Sequence, residues 1–208
     1  ERTKLVILAT PNNPTGTAVS TTALAAMLDR IPDTTMVVID EAYREFRDTE
    51  LGDPITDLLP TYTNVIVTRT LSKAHGIAAV RFGYAVAHPE VVASVDKTLV
   101  PFAVNGMAQA AALAAIDADD EIKARVRTIL KERDRVADAL VAAGWELPDA
   151  QANFVFLPLG DRTDAVYLNL EKRGVVTRPF SGFGMRVTIG TAAENDRFLA
   201  TLAEVRYL

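Results

Sequence analysis

The sequence has no cysteine and only two histidines among its 208 residues. The absence of cysteine excludes disulfides, zinc–thiolate sites and cysteine nucleophiles. His75 and His88 stand alone and match no metal-ligand spacing. We therefore expect no metal site.

The sequence also lacks long apolar runs and an excess of basic residues. No run reaches the roughly 18 residues of a membrane span, and no signal-peptide pattern opens the chain. The net charge is −5, and no basic stripe carries interleaved aromatic residues. With 49% hydrophobic residues the composition is that of a globular protein. We expect a cytoplasmic protein with no nucleic-acid partner and no membrane partner.

Short apolar runs alternate with helical patterns along the first half of the chain. They predict strands over residues 5–9, 36–39, 65–68 and 82–87. The first run is continuous, which is typical of a strand buried on both faces. Between the first two strands we predict a helix that Ser20 or Thr21 caps and Pro32 stops. The alternation indicates an α/β fold with a mostly parallel sheet.

The second half predicts a smaller α+β unit. Asp119 opens a long amphipathic helix that ends at Gly144. Its predicted apolar stripe consists of Ile122, Val126, Ile129, Leu130, Val136, Leu140 and Val141. Strands follow at 154–157 and 186–189, with a helix over 163–173 between them and a last helix that a Thr191–Glu194 capping box opens. We predict a domain boundary between residues 118 and 119, with the long helix as the bridge.

Polar side chains follow three predicted strands. Asn13, Asp40 and Lys73 each lie just beyond a strand end, where ligands bind in α/β sheets. Taken singly, they are explained as a turn residue, a helix cap and a solvated loop lysine. Taken together, they favour a lysine that forms a Schiff base with an aldehyde cofactor.

A cofactor with a protonated pyridine ring would use further groups near these strand ends. Asp40 would face the ring nitrogen and keep it protonated. Tyr43 and Asn13 would donate hydrogen bonds to the phenolic oxygen, although Tyr43 is also explained as a core aromatic. The phosphate would be bound by a guanidinium and two hydroxyls, those of Arg81, Thr70 and Ser72.

Four segments together resemble the motif series of the fold-type I pyridoxal-phosphate aminotransferases. They are residues 11–16 (PNNPTG), 40–43 (DEAY), 70–73 (TLSK) and 81–84 (RFGY). The resemblance covers essentially the whole chain and implies the pyridoxal-phosphate-dependent transferase fold. Residues 1–118 would be the C-terminal part of the large, cofactor-binding domain, and residues 119–208 the small domain.

The resemblance also implies roles for single residues. Lys73 would be the Schiff-base lysine and the acid/base that moves the substrate proton. Asn13, Asp40, Tyr43, Thr70, Ser72 and Arg81 would bind pyridoxal 5′-phosphate as described above. Residues 184–190 (GMRVTIG) resemble the segment whose arginine binds the substrate α-carboxylate, which assigns that role to Arg186.

Within the family, residues 97–105 (KTLVPFAVN) and 178–180 (RPF) are most similar to the aromatic, phenylalanine-type group of the histidinol-phosphate aminotransferase branch. The resemblance implies an aromatic amino acid and a 2-oxo acid such as 2-oxoglutarate as substrates, and a homodimer with shared active sites. His75 departs from the family, which usually has an aromatic ring at that position.

A long N-terminal part of the family has no counterpart in the sequence, so we expect the chain to be a piece of a longer enzyme. That part supplies phosphate donors, a stacking ring and substrate contacts. Four alternatives stay open. They are a histidinol-phosphate aminotransferase, a lyase or decarboxylase of the same fold, an inactive fragment, and a non-catalytic module that binds the cofactor.

Overall fold

The apolar runs of the first half form one sheet, in a computed structural model that describes residues 2–205. Its strands are β1 (Leu5–Ala9), β2 (Met36–Asp40), β3 (Val65–Thr70) and β4 (Gly83–Ala87), in the order β1–β2–β3–β4. The first three strands pair in parallel, and β4 is antiparallel to β3. The predicted strands and the α/β class are confirmed.

One face of this sheet holds the core of the first compact unit, which comprises residues 1–12 and 18–123. Val37 and Ile39 of β2, with Val65 and Val67 of β3, are fully buried. They pack against α1 (Thr21–Leu28) and the end of α2 (Pro54–Asp57). Ser20 caps α1 through its hydroxyl, as predicted. Successive side chains of a strand point to opposite faces of the sheet, so the odd-numbered residues of β2 and β3 face this core and the even-numbered ones face away from it.

The opposite face is only partly covered in the described residues. Leu5 and Ile7 of β1 are 51% and 67% exposed, so the prediction that this strand is buried on both faces is wrong. Their neighbours Val6 and Leu8 pack into the core. The reason is that β1 is an edge strand whose alternate side chains point to the uncovered face.

Helices complete the first unit and lead into the second. They are α3 (Pro89–Asp96), α4 (Gly106–Asp117), which Asn105 caps, and the long α5 (Asp119–Ala142). Ile122, Val126, Val136 and Leu140 of α5 are buried as predicted. Val141 is 58% exposed, which contradicts its predicted place in the stripe. It follows Leu140 directly and so points about 100° further around the helix.

The second compact unit comprises residues 13–17 and 124–208. Its sheet has the order β5–β7–β6, built from β5 (Phe154–Leu157), β6 (Arg178–Phe180) and β7 (Gly184–Thr188), all antiparallel. The sequence did not predict β6. Helices α6 (Thr163–Lys172) and α7 (Ala192–Val205) pack on the sheet through Leu170 and Phe198. The predicted capping box is confirmed, since Glu194 Oε2 accepts the Thr191 backbone N–H at 2.7 Å.

Candidate active site

Lys73 lies in a tight turn that follows β3. The turn begins at the buried Leu71, whose N–H donates to the Phe82 carbonyl at 3.2 Å, and the Ile77 N–H returns to the Leu71 carbonyl at 3.3 Å. Lys73 itself is exposed. Its Nζ is 5.2 Å from the centroid of the Tyr43 ring, so the structure brings these two predicted site residues together. A cation over an aromatic face is weakly attracted to it.

Asp40 is the last residue of β2 and has an even number, so it lies on the sheet face opposite the core. Its Oδ1 accepts the Ala42 N–H at 3.0 Å. This bond orients the carboxylate and starts the turn that leads to the buried Tyr43. Asp40 pairs in register with Thr68 of β3. The ends of β2 and β3 therefore carry Asp40 and, two residues beyond its partner, Thr70.

Thr70 and Ser72 form a pair of hydroxyls at the end of β3. Thr70 Oγ1 is 2.9 Å from Ser72 Oγ and accepts the Ser72 N–H at 3.1 Å. Arg81 is exposed and adopts a left-handed conformation (φ 60°, ψ 54°). Non-glycine residues rarely adopt it. Its Nη1 donates to the Ala78 carbonyl at 2.9 Å. The donor types in this segment are those that bind a phosphate.

Behind these residues, on the core side of the sheet, is a buried ion cluster of Glu41, Arg47 and Arg69, which the partly exposed Asp53 joins at its rim. The Glu41 side chain is 0% exposed. Its Oε2 accepts from Arg69 Nε at 2.8 Å and lies 2.7 Å from a terminal nitrogen of the same guanidinium. Arg47 Nη2 is 3.2 Å from Glu41 Oε1, and Arg69 Nη2 donates to Asp53 Oδ1 at 2.5 Å.

The electrostatics of the ion cluster follow from burial and pairing. Burial lowers the pKa of the Arg69 guanidinium, but the hydrogen bond and charge of Glu41, together with Asp53, raise it overall. The pKa of Arg47 is lowered, mainly by burial. The carboxyl of Glu45, two residues before Arg47 in the sequence, has its pKa raised by burial. The sequence motifs predict no role for the residues of the ion cluster or for Glu45.

In the second unit, Arg186 lies on β7 and contacts Asn13 and Phe154. Its Nη1 donates to Asn13 Oδ1 at 2.8 Å, and its guanidinium carbon is 5.1 Å from the centroid of the Phe154 ring. Arg186 Nε is buried without a hydrogen-bond partner among the described residues. The structure thus joins two predicted site residues and leaves one donor of the guanidinium without a partner among the described residues.

His75 lies in the turn after Lys73 and is partly buried. Its Nδ1 is buried and has no hydrogen-bond partner in the described part of the chain. Burial lowers the pKa of this imidazole, and the charge of Asp119 opposes that effect. The neutral ring is therefore favoured, as suits a position where the family usually has an aromatic side chain.

The family of the chain is shown by a sequence profile that covers nearly all of it. The profile described as "Aminotransferase class I and II" matches residues 1–202. The chain belongs to this aminotransferase family. The family depends on pyridoxal 5′-phosphate, and the fold and cofactor that the sequence motifs predict are confirmed.

Within the aminotransferases, the chain is similar in sequence to proteins of one named activity. The chain is 50% identical to a protein of Streptomyces coelicolor named aromatic amino acid aminotransferase, over 99% of this chain and 57% of that protein. A protein of the same name from Thermobifida fusca is also 50% identical, over 96% of this chain and 55% of that protein. The chain thus spans little more than half the length of these relatives.

A solved structure supports the same fold. It is histidinol-phosphate aminotransferase from Sinorhizobium meliloti in complex with pyridoxal 5′-phosphate. The TM-score is 0.87 at 33% identity, covering 97% of this chain and 57% of that one. The residues described above fit this cofactor in chemistry: an exposed lysine amine, an oriented carboxylate, two adjacent hydroxyls and an exposed guanidinium.

The described residues contain no helix that combines the length and apolar character of a membrane crossing.

Proposed function

We propose that the protein is an aminotransferase that moves the amino group of an aromatic amino acid, phenylalanine or tyrosine, to a 2-oxo acid such as 2-oxoglutarate. The observation that carries the proposal is the 50% identity, over 99% of the chain, to a relative that bears the name of this activity. The contacts of Lys73, Asp40 and Arg186 support it, because their chemistry suits the three tasks of transamination.

Each site residue has a proposed task. When bound, the cofactor supplies an electron-withdrawing ring that accepts the electron pair left when the substrate Cα–H bond breaks. Lys73 Nζ would hold the cofactor until the substrate amine displaces it, and the amine so released would take up the Cα proton as a general base. Asp40 holds the proton on the ring nitrogen. Tyr43 and Asn13 bind the phenolic oxygen.

Two anionic groups have proposed binding residues. Thr70, Ser72 and Arg81 bind the cofactor phosphate, which is supported by the 2.9 Å approach of the two hydroxyls. Arg186 binds the substrate α-carboxylate, which is supported by its unpartnered buried Nε. A guanidinium offers a planar pair of donors that matches a carboxylate.

Transamination of histidinol phosphate is a second candidate. It is favoured by the likeness to the histidinol-phosphate aminotransferase of Sinorhizobium meliloti, at 33% identity. This substrate has no α-carboxylate and carries a phosphate instead. Activity with it, and none with phenylalanine, would replace the first proposal.

The test has two parts. The chain is mixed with pyridoxal 5′-phosphate, bound cofactor is reduced with borohydride, and the modified peptide is identified by mass spectrometry. We expect attachment at Lys73, none in the Lys73→Ala variant, and full attachment in Lys172→Ala, which removes an exposed lysine of α6. Phenylalanine, tyrosine and histidinol phosphate are then compared as amino donors.

A chimera makes the second part independent of the length of the chain. It places the N-terminal part of the Streptomyces coelicolor relative, which lies outside the match, before residue 1. Transfer from phenylalanine in the chimera, lost in its Lys73→Ala variant, is the expected result. Unchanged attachment or transfer without Lys73 would contradict the proposal.

We also propose that the protein acts as a homodimer in the cytoplasm and that residues 1–118 and 119–208 belong to its large and small domains. The homodimer is supported by exposed apolar side chains of the first unit, among them Phe102 at 97% and Met107 at 85% exposure. Light scattering of the chimera measures the assembly. A monomer at micromolar concentration would contradict the dimer.

A further inference from the structure

The Glu41–Arg69 ion pair lies between the two strand ends that carry the proposed cofactor residues. Glu41 directly follows Asp40 at the end of β2, and Arg69 precedes Thr70 at the end of β3. The Glu41 backbone N–H donates to the Thr68 carbonyl at 2.9 Å, which continues the parallel ladder by one step. The pair therefore links β2 to β3 at the point where both strands leave the sheet.

The ion pair and the proposed cofactor residues lie on opposite faces of the sheet. Residues 37 and 39, and 65 and 67, are buried in the core, so Glu41 and Arg69 continue the core face. Asp40 and Thr70 have even numbers and lie on the other face. The ion pair thus does not meet a ligand bound there. It acts through the backbone of residues 40–41 and 69–70.

Stability alone does not explain a fully buried carboxylate at this position. Removing two charges from water is costly, and replacing a buried ion pair with apolar residues of similar volume is often neutral or stabilising. An ion pair differs from an apolar pair in direction, because both Arg69 nitrogens must meet one oxygen, Glu41 Oε2, at 2.7–2.8 Å. It fixes one arrangement of the strand ends.

We infer that Glu41 and Arg69 are positioning residues, which hold the Asp40–Tyr43 turn in register with the Thr70–Lys73 turn. The 5.2 Å contact between Lys73 Nζ and the Tyr43 ring also joins these two turns. Asp53 extends the arrangement, since it accepts from Arg69 and from Arg44 Nη2 at 2.8 Å. The inference rests on the proposed function only in taking Lys73 as the reacting amine.

The test separates positioning from stability with a triple variant. Arg69→Lys keeps the charge but loses the fork, whereas Glu41→Met/Arg47→Met/Arg69→Met removes the ion pair together with Arg47, which would otherwise lose its carboxylate partner. We expect the triple variant to unfold at the same temperature as the parent or above it. We expect both variants to exchange the amides of residues 70–73 about tenfold faster, because lost support lowers the free energy of local opening and about 1.4 kcal/mol corresponds to a factor of ten.

Two further readouts follow Lys73 itself. The first is the pH dependence with which an amine-reactive reagent labels Lys73 without cofactor, which we expect to shift in both variants. The second is cofactor affinity, which we expect to fall by about tenfold or more, as for the loss of one hydrogen bond to a charged group. Arg135→Met removes two surface ion pairs, with Glu132 of α5 and Asp196 of α7; it is the control and should change none of these readouts.

Each other outcome overturns the inference. If the triple variant matches the parent in unfolding temperature, in amide exchange of residues 70–73 and in labelling of Lys73, the pair does not position these residues. If the triple variant is much less stable than the parent, the pair is chiefly a stabilising element. Exchange and labelling need no cofactor, so a failure of the proposed function, seen as no attachment at Lys73, is distinguished from a failure of this inference.

Discussion

Replacing Arg186 with lysine tests the proposed carboxylate site with the least disturbance. Lysine keeps the positive charge but offers a point donor, whereas the guanidinium can give two parallel hydrogen bonds to a carboxylate. One such bond is lost, and hydrogen bonds to charged groups contribute about 1.5–3 kcal/mol. At 1.4 kcal/mol for each factor of ten, carboxylate affinity should fall about 10- to 150-fold.

The fold should tolerate this change. The Arg186 contact with the buried Phe154 ring is a cation–π interaction, worth about 0.5–2 kcal/mol, and a lysine ammonium can retain part of it. The hydrogen bond to Asn13 is exposed. We therefore expect a small decrease in unfolding temperature beside a large decrease in ligand affinity.

The assay is calorimetric titration of the chimera with 3-phenylpropionate, which keeps the carboxylate and ring of phenylalanine but has no amino group. Phenethylamine, which lacks the carboxylate, is the ligand control and should bind equally to both forms. Arg178→Lys is the matched protein control, because Arg178 on β6 pairs in register with Arg186. Equal losses in the two lysine variants, or none in Arg186→Lys, would refute the assignment.

Three further predictions concern stability. Leu170→Ala, in the core of the second unit, should lower the free energy of unfolding by about 2–5 kcal/mol in denaturant titrations. Thr191→Ala, which removes the cap of α7, should cost about 1 kcal/mol in the same assay, and a larger loss than in Leu170→Ala would contradict this ranking. The lowered pKa of His75 means that the unfolded chain binds more protons just below pH 6.5, so stability should fall as the pH drops from there. His75→Phe should flatten that fall and His88→Phe should not; equal profiles would exclude His75 as the cause.

The sequence predicts the fold well where local patterns are strong. Apolar β-branched runs identified β2 and β3, an apolar run with two phenylalanines identified β5, and hydroxyl caps identified the starts of α1 and α7. The pattern failed where tertiary context decides. The run in β1 contains no sign that it is an edge strand, and β6, with three residues, is too short to show a period. Val141, which follows the buried Leu140, was predicted to be buried, but it is exposed.

The candidate site was predicted as a set of residue types at strand ends, and not as a set of contacts. The Lys73–Tyr43 contact follows from two turns whose conformations the sequence does not specify. The bond between Asn13 and Arg186 joins positions 173 residues apart. Such a contact depends on the register of complete elements, which a single sequence does not give.

The buried ion cluster shows that part of this information was nevertheless accessible. Alternation along β2 and β3 requires apolar residues at positions 41 and 69 if the core pattern of 37, 39, 65 and 67 continues. A carboxylate and a guanidinium stand there instead. An unpaired buried charge is too costly to keep, so each of these residues requires an opposite charge nearby. The parallel pairing of Asp40 with Thr68 makes the following residues, Glu41 and Arg69, adjacent, and their ion pair is the arrangement that satisfies both. Charged residues at strand-end positions where the alternation calls for a core side chain, beside two proposed ligand-binding turns, therefore indicate a link between those turns.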